Sequence, residues 1–120
     1  MPIIDVQVVV VEGTSIPDGT AKALADTLAT VFSSPPGRVW VRLALLPAGF
    51  YAENAESATV LPVFLQVLLA DLPSPEVLSV QSKAIAGTVA ACLNRQPEQI
   101  HVVYEPAGRG RVAFGGELLR

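Results

Sequence analysis

Cysteine is almost missing from this chain: Cys92 is the one thiol in 120 residues. No internal disulfide can form, which points to a reducing compartment and a cytoplasmic protein. Charge is scarce too. Charged residues make up 16% of the chain, the formal net charge is −3, and Lys and Arg form no cluster, so no nucleic-acid partner is expected. No apolar run reaches the roughly 18 residues that would cross a membrane, so no membrane partner is expected either. No Lys or Arg precedes the first apolar run, which therefore does not read as a signal peptide. One histidine and one cysteine are too few for a metal site, and no phosphate loop or dinucleotide motif is present, so neither metal nor cofactor is expected. Aromatic residues are only 6%, which makes each one worth placing.

Apolar residues, by contrast, reach 51%, enough for a core in one domain spanning residues 1–120. Such a fraction in a short chain implies that some surface is buried in an oligomer. At the amino end, Pro2 heads the β-branched run Ile3-Ile4-Asp5-Val6-Gln7-Val8-Val9-Val10-Val11. With Met1 removed, Pro2 becomes a secondary amine fixed at the end of a strand. An α-amino group has a reference pKa of about 8, and partial burial lowers it into the range that suits proton transfer.

The pattern along the chain repeats. Residues 3–11 read as a strand. Ser15 or Asp18 caps a helix that carries Leu24, Leu28, Val31 and Phe32 and ends at Ser33-Ser34-Pro35-Pro36-Gly37. Residues 39–46 read as a second strand, and 50–58 as a polar connection. A strand over 60–70 follows, weakened near its start by Pro62. Ser74 then caps a helix with Pro75 at its first position, Asn94 to Pro97 closes it, and residues 100–104 form a strand. Gln7 and Gln66, Pro47 and Pro106, and Gly49 and Gly108 stand 59 positions apart; Pro36 and Pro97 stand 61 apart. The expected fold is α+β, a two-layer sandwich: two βαβ units (about 2–49 and 60–108), a four-stranded mixed sheet, two helices on one face, and a short carboxyl-terminal strand or hairpin. The other sheet face would be bare and needs a partner.

These residues resemble the tautomerase superfamily. Val11-Glu12-Gly13 and the tail Phe114-Gly115-Gly116-Glu117-Leu118 look like 4-oxalocrotonate tautomerase. Ile16-Pro17-Asp18-Gly19 with Pro35-Pro36 looks like macrophage migration inhibitory factor. Gly108-Arg109-Gly110-Arg111 is similar to the end of malonate semialdehyde decarboxylase. The resemblance implies a homotrimer and a cofactor-independent tautomerase acting on a small 2-oxo or 2-hydroxydienoate acid, with Pro2 as general base. Two other functions fit the same resemblance: a decarboxylase or dehalogenase with protonated Pro2 as acid, and a catalytically silent trimeric binding protein. Positions that are cationic in those relatives are Thr14, Trp40, His101 and Ser34 here.

The substrate's carboxylate and carbonyl therefore have other candidate partners. Arg42 lies in an apolar strand, where a buried guanidinium needs an anion. It binds the substrate or pairs with an acid across a subunit contact. His101 shares its facing and offers a hydrogen bond or fills a contact. Arg109 and Arg111 lie in the glycine-rich tail as an anion clamp or as solvated charges. Ser34 precedes Pro35-Pro36. Trp40, Phe50, Tyr104 and Phe114 are candidates for an apolar pocket wall or for packing. Cys92 reads as an inert core position.

Overall fold

β-branched residues set the pleat of the first strand, β1 (Ile3–Val10): Ile4, Val6, Val8 and Val10 turn to one face and are buried. The computed structural model describes residues 2–55 and 60–120. Met1 and part of the polar connection expected over 50–58 lie outside the described residues.

Helix α1 (Thr20–Phe32) starts later than the sequence signals imply, and neither Ser15 nor Asp18 caps it. Thr20 N–H donates to Pro17 O, and Gly19 takes φ 88° and ψ −4°, values that suit the third position of a type II turn. Asp18 is thereby used up in the turn, and Gly19 becomes a cap without a side chain. β2 (Trp40–Pro47) follows and ends in a 3-10 turn at Ala48–Phe50. β3 (Val63–Leu68) is shorter than residues 60–70, because Pro62 has no N–H to give a ladder; its carbonyl accepts from Val9 N–H instead. Helix α2 (Pro75–Leu93) begins as read, with Ser74 Oγ accepting from Val77 N–H at 3.3 Å and Pro75 in the first turn. Removing that cap with Ser74→Ala should cost about 1 kcal/mol, read as a lower urea midpoint at unchanged slope. A 3-10 turn at Pro97–Gln99 leads into β4 (Ile100–Tyr104). A hairpin, β5 (Ala113–Phe114) and β6 (Glu117–Leu118), closes the chain through Gly115 and Gly116, both at positive φ, the backbone a two-residue hairpin loop needs.

The four long strands form one mixed sheet in the order β2-β1-β3-β4. The outer pairs are parallel and the central β1–β3 pair is antiparallel. Both helices cover one face. Leu24 and Leu28 of α1 and Ile85 and Val89 of α2 pack on Ile4, Val6, Val8, Val63, Leu65 and Val67 in one core. Two layers of α+β architecture result. No helix among the described residues is long and apolar enough to cross a membrane.

The internal repeat has a different spacing from the one the strand residues imply. Leu24 and Leu28 recur as Ile85 and Val89, all fully buried, 61 positions on. The left-handed caps Ser33 and Asn94 recur at the same spacing. Ile3 pairs with Trp40 as Phe64 pairs with His101, again 61 positions on. The 59-residue matches preserve strand facing, because two residues restore the pleat, but they do not carry the helices into register. At 61, Pro2 corresponds to Val63, and both are buried.

Candidate functional site

Pro2 extends β1 by one residue, and its ring is fully buried. Its carbonyl accepts from Trp40 N–H at 3.1 Å. Ile3 faces Trp40 on one side and Leu68 on the other, so Pro2 stands opposite Leu69. The segment after β4 is fastened to the far side of the same residues: Gly108 N–H donates to Leu69 O at 2.7 Å and Arg109 N–H to Ala70 O at 3.0 Å. With strands about 4.8 Å apart, Gly108 lies roughly 10 Å from Pro2. The tail then crosses the end of the sheet. Phe114 meets the Trp40 ring edge-to-face, with centroids 5.4 Å apart, and Trp40 Nε1–H donates to Gly37 O. Pro2 therefore sits on the strand that the tail crosses between Arg109 and Phe114. The Ser34 loop feeds β2 at this same end of the sheet.

The two tail arginines differ. Arg109 grips Asp71 with both arms of its guanidinium, Nε at 2.8 Å and Nη2 at 2.6 Å, and its Nη1 donates to Arg120 O. The hydrogen bond from Arg109 lowers the Asp71 carboxyl below its ordinary pKa and raises the guanidinium. Arg111 donates only to the Pro106 and Ala107 carbonyls and meets no carboxylate among the described residues.

Arg42 is not buried. It stands on the face away from the helices, 74% exposed, and its partner is Asp5 of the same chain, with Nε at 2.5 Å and Nη2 at 2.8 Å. The β1–β2 register sets Asp5 directly beside it, a cross-strand neighbour that the separate strand sequences do not reveal. The bond to Asp5 raises the Arg42 pKa. His101 shares this open face, tilted against Phe64 at 5.4 Å, but it is paired in the row of Gln7 rather than at Pro2. Phe50 is 79% exposed at the opposite end of β2 from Trp40, so it cannot wall the Pro2 end of its own chain. Tyr104 faces the helices, where its hydroxyl donates to Gln81 Oε1 at 2.8 Å and burial raises its pKa. It packs as part of the core rather than lining the tail. Cys92 also packs against the core, half-buried.

Three polar residues escaped the sequence reading: Asp5, Asp71 as an arginine partner, and Arg95. Arg95 donates to Leu61 O and to Val9 O, tying the end of β1 to the approach to β3, and burial lowers its pKa. Its one sequence signal is its place just after the left-handed Asn94 cap. A cleft of about 620 Å³ on the open face is lined by Asp5, Gln7, Arg42, Tyr51, Phe64 and Gln66, and Pro2 is not part of its lining.

No protein-family model and no curated protein sequence matches the chain. Solved structures do. Macrophage migration inhibitory factor from Oncomelania hupensis aligns over 100% of this chain and 83% of its own, with a TM-score of 0.75 at 22% identity. A fused 4-oxalocrotonate tautomerase, itself a symmetric trimer, aligns over 98% and 94% with a TM-score of 0.78 at 18% identity. A protein inactivated by 2-oxo-3-pentynoate aligns over 98% and 94%, TM-score 0.75, at 15% identity. At these identities the likeness is one of fold: the chain has the fold that macrophage migration inhibitory factor and the fused 4-oxalocrotonate tautomerase share.

Proposed function

We propose that the protein is a cofactor-independent tautomerase of a small 2-oxo or 2-hydroxydienoate acid, with Pro2, freed of Met1, as general base. The crossing of the tail over the Pro2 strand carries this reading. The tail carries Arg111, which meets no carboxylate among the described residues, past the strand that Pro2 heads, and Phe114 packs on Trp40, whose backbone N–H donates to the Pro2 carbonyl. In the keto-to-enol direction Pro2 takes a proton from the carbon next to the carbonyl and returns it at another position. Burial of the ring favours the neutral amine, and Arg111 holds the substrate carboxylate.

The assembly in this reading is a homotrimer. The open sheet face, where Trp40 and Val103 are each 51% exposed, is covered by neighbouring subunits in that assembly. The fused tautomerase among the structural relatives is a symmetric trimer.

While Met1 is attached, the Pro2 nitrogen is an amide and has no basicity. Tautomerase activity should therefore follow the Met1-free fraction measured by intact mass. Equal specific activity in a preparation that retains Met1 throughout refutes Pro2 as the base.

A further inference from the structure

Asp71 stands two residues beyond Leu69, the residue opposite Pro2, and the proposed chemistry does not need it. It directly follows Ala70, whose carbonyl holds Arg109 N–H. Its two oxygens fill the Nε and Nη2 edge of Arg109, the edge that matches a carboxylate in two-point geometry. The third arm of that guanidinium is engaged by Arg120 O. Arg109 therefore has its Nε–Nη2 fork filled and its Nη1 engaged, whereas Arg111 meets only backbone carbonyls and no carboxylate among the described residues.

We infer that Asp71 sets the ligand class of this site: by occupying Arg109 it restricts the site to acids with one carboxylate and turns away diacids. The inference rests on the proposed reading that the Pro2 end binds a carboxylate, but not on Pro2 acting as a base. A monoacid finds Arg111. The second carboxylate of a diacid finds Arg109 taken and meets the like charge of Asp71, an unfavourable contact at short range. Asp71 acts as a covalently tethered competitor for the second carboxylate. Asn in its place keeps the shape but removes the competing charge and the two-point acceptor.

The test is binding, so it does not depend on turnover. Met1-free protein is titrated with butyrate and with glutarate, following the indole N–H resonance of Trp40, the one tryptophan in the chain. The wild type should bind butyrate more tightly than glutarate. In Asp71→Asn the glutarate-to-butyrate affinity ratio should rise about tenfold or more, the worth of one charge-assisted fork. The double variant Asp71→Asn, Arg109→Gln should lose that gain. The pair is exposed, and circular dichroism of both variants checks that the fold is kept. An unchanged ratio in Asp71→Asn, a gain that survives loss of Arg109, or no response of Trp40 to either acid overturns the inference. Failure of Pro2 as the base reads out separately, as undiminished turnover in a Pro2 variant.

Discussion

Pro2→Ala should lower kcat/KM for ketonisation of phenylenolpyruvate by about 10²-fold or more, the scale on which a positioned general base contributes. Alanine at the second position also permits removal of Met1, so both proteins present an amine and the comparison isolates the ring. The loss has two origins. The wild-type ring is fully buried, which holds the nitrogen at one place. The alanine amine is primary, has an extra N–H and rotates freely. It is more strongly solvated and less often aligned with the substrate. The ultraviolet absorbance of the enol follows the reaction directly. Activity equal to wild type would sink the assignment of Pro2. A thermal melt run alongside separates lost chemistry from lost packing.

The largest stability effect should come from Leu65→Ala, with a loss of about 2–5 kcal/mol. Leu65 sits at the centre of the sheet, fully buried, with Val6 beside it on β1 and Val102 on β4. Strands hold β3 from both sides and the helix layer covers it, so the backbone cannot collapse into the hole left by the removed side chain. That is a large share of a typical domain's 5–15 kcal/mol. Urea unfolding followed by far-ultraviolet circular dichroism measures it, and a loss under about 1 kcal/mol would mean that the site repacks freely.

The sequence carries the fold more openly than the site. Period-two runs of β-branched residues and the helical spacing of Leu24, Leu28, Val31 and Phe32 are local signals, and the elements form on them, with ends shifted where Gly19 and Pro62 intervene. The Ser74-Pro75 start is local chemistry as well, and it survives intact. Asp18 misleads for an equally local reason: Gly19 at positive φ claims it for a turn. The site, however, depends on which residues become neighbours across strands. Arg42 looks buried among valines and leucines, yet alternation turns it outward beside Asp5, 37 residues away. Arg109 and Asp71, 38 residues apart, meet only because the tail doubles back along the end of β3. Phe114 reaches Trp40 through the same path. The role proposed for Pro2 rests on its place in the chain and not on packing, so it can be read before any neighbour is known.

The central β1–β3 pair has a consequence for the chain as a whole. It is the seam between the two βαβ units, where the antiparallel register joins Ile3 to Leu68 and Arg95 reaches from the second unit to Val9 of the first. Cut at the connection, each unit would expose one strand with unpaired backbone groups, the surface that another half-length chain would cover. The connection therefore fixes a stoichiometry. It converts what would be a concentration-dependent pairing of two short chains into an intramolecular one, so this sheet does not come apart on dilution.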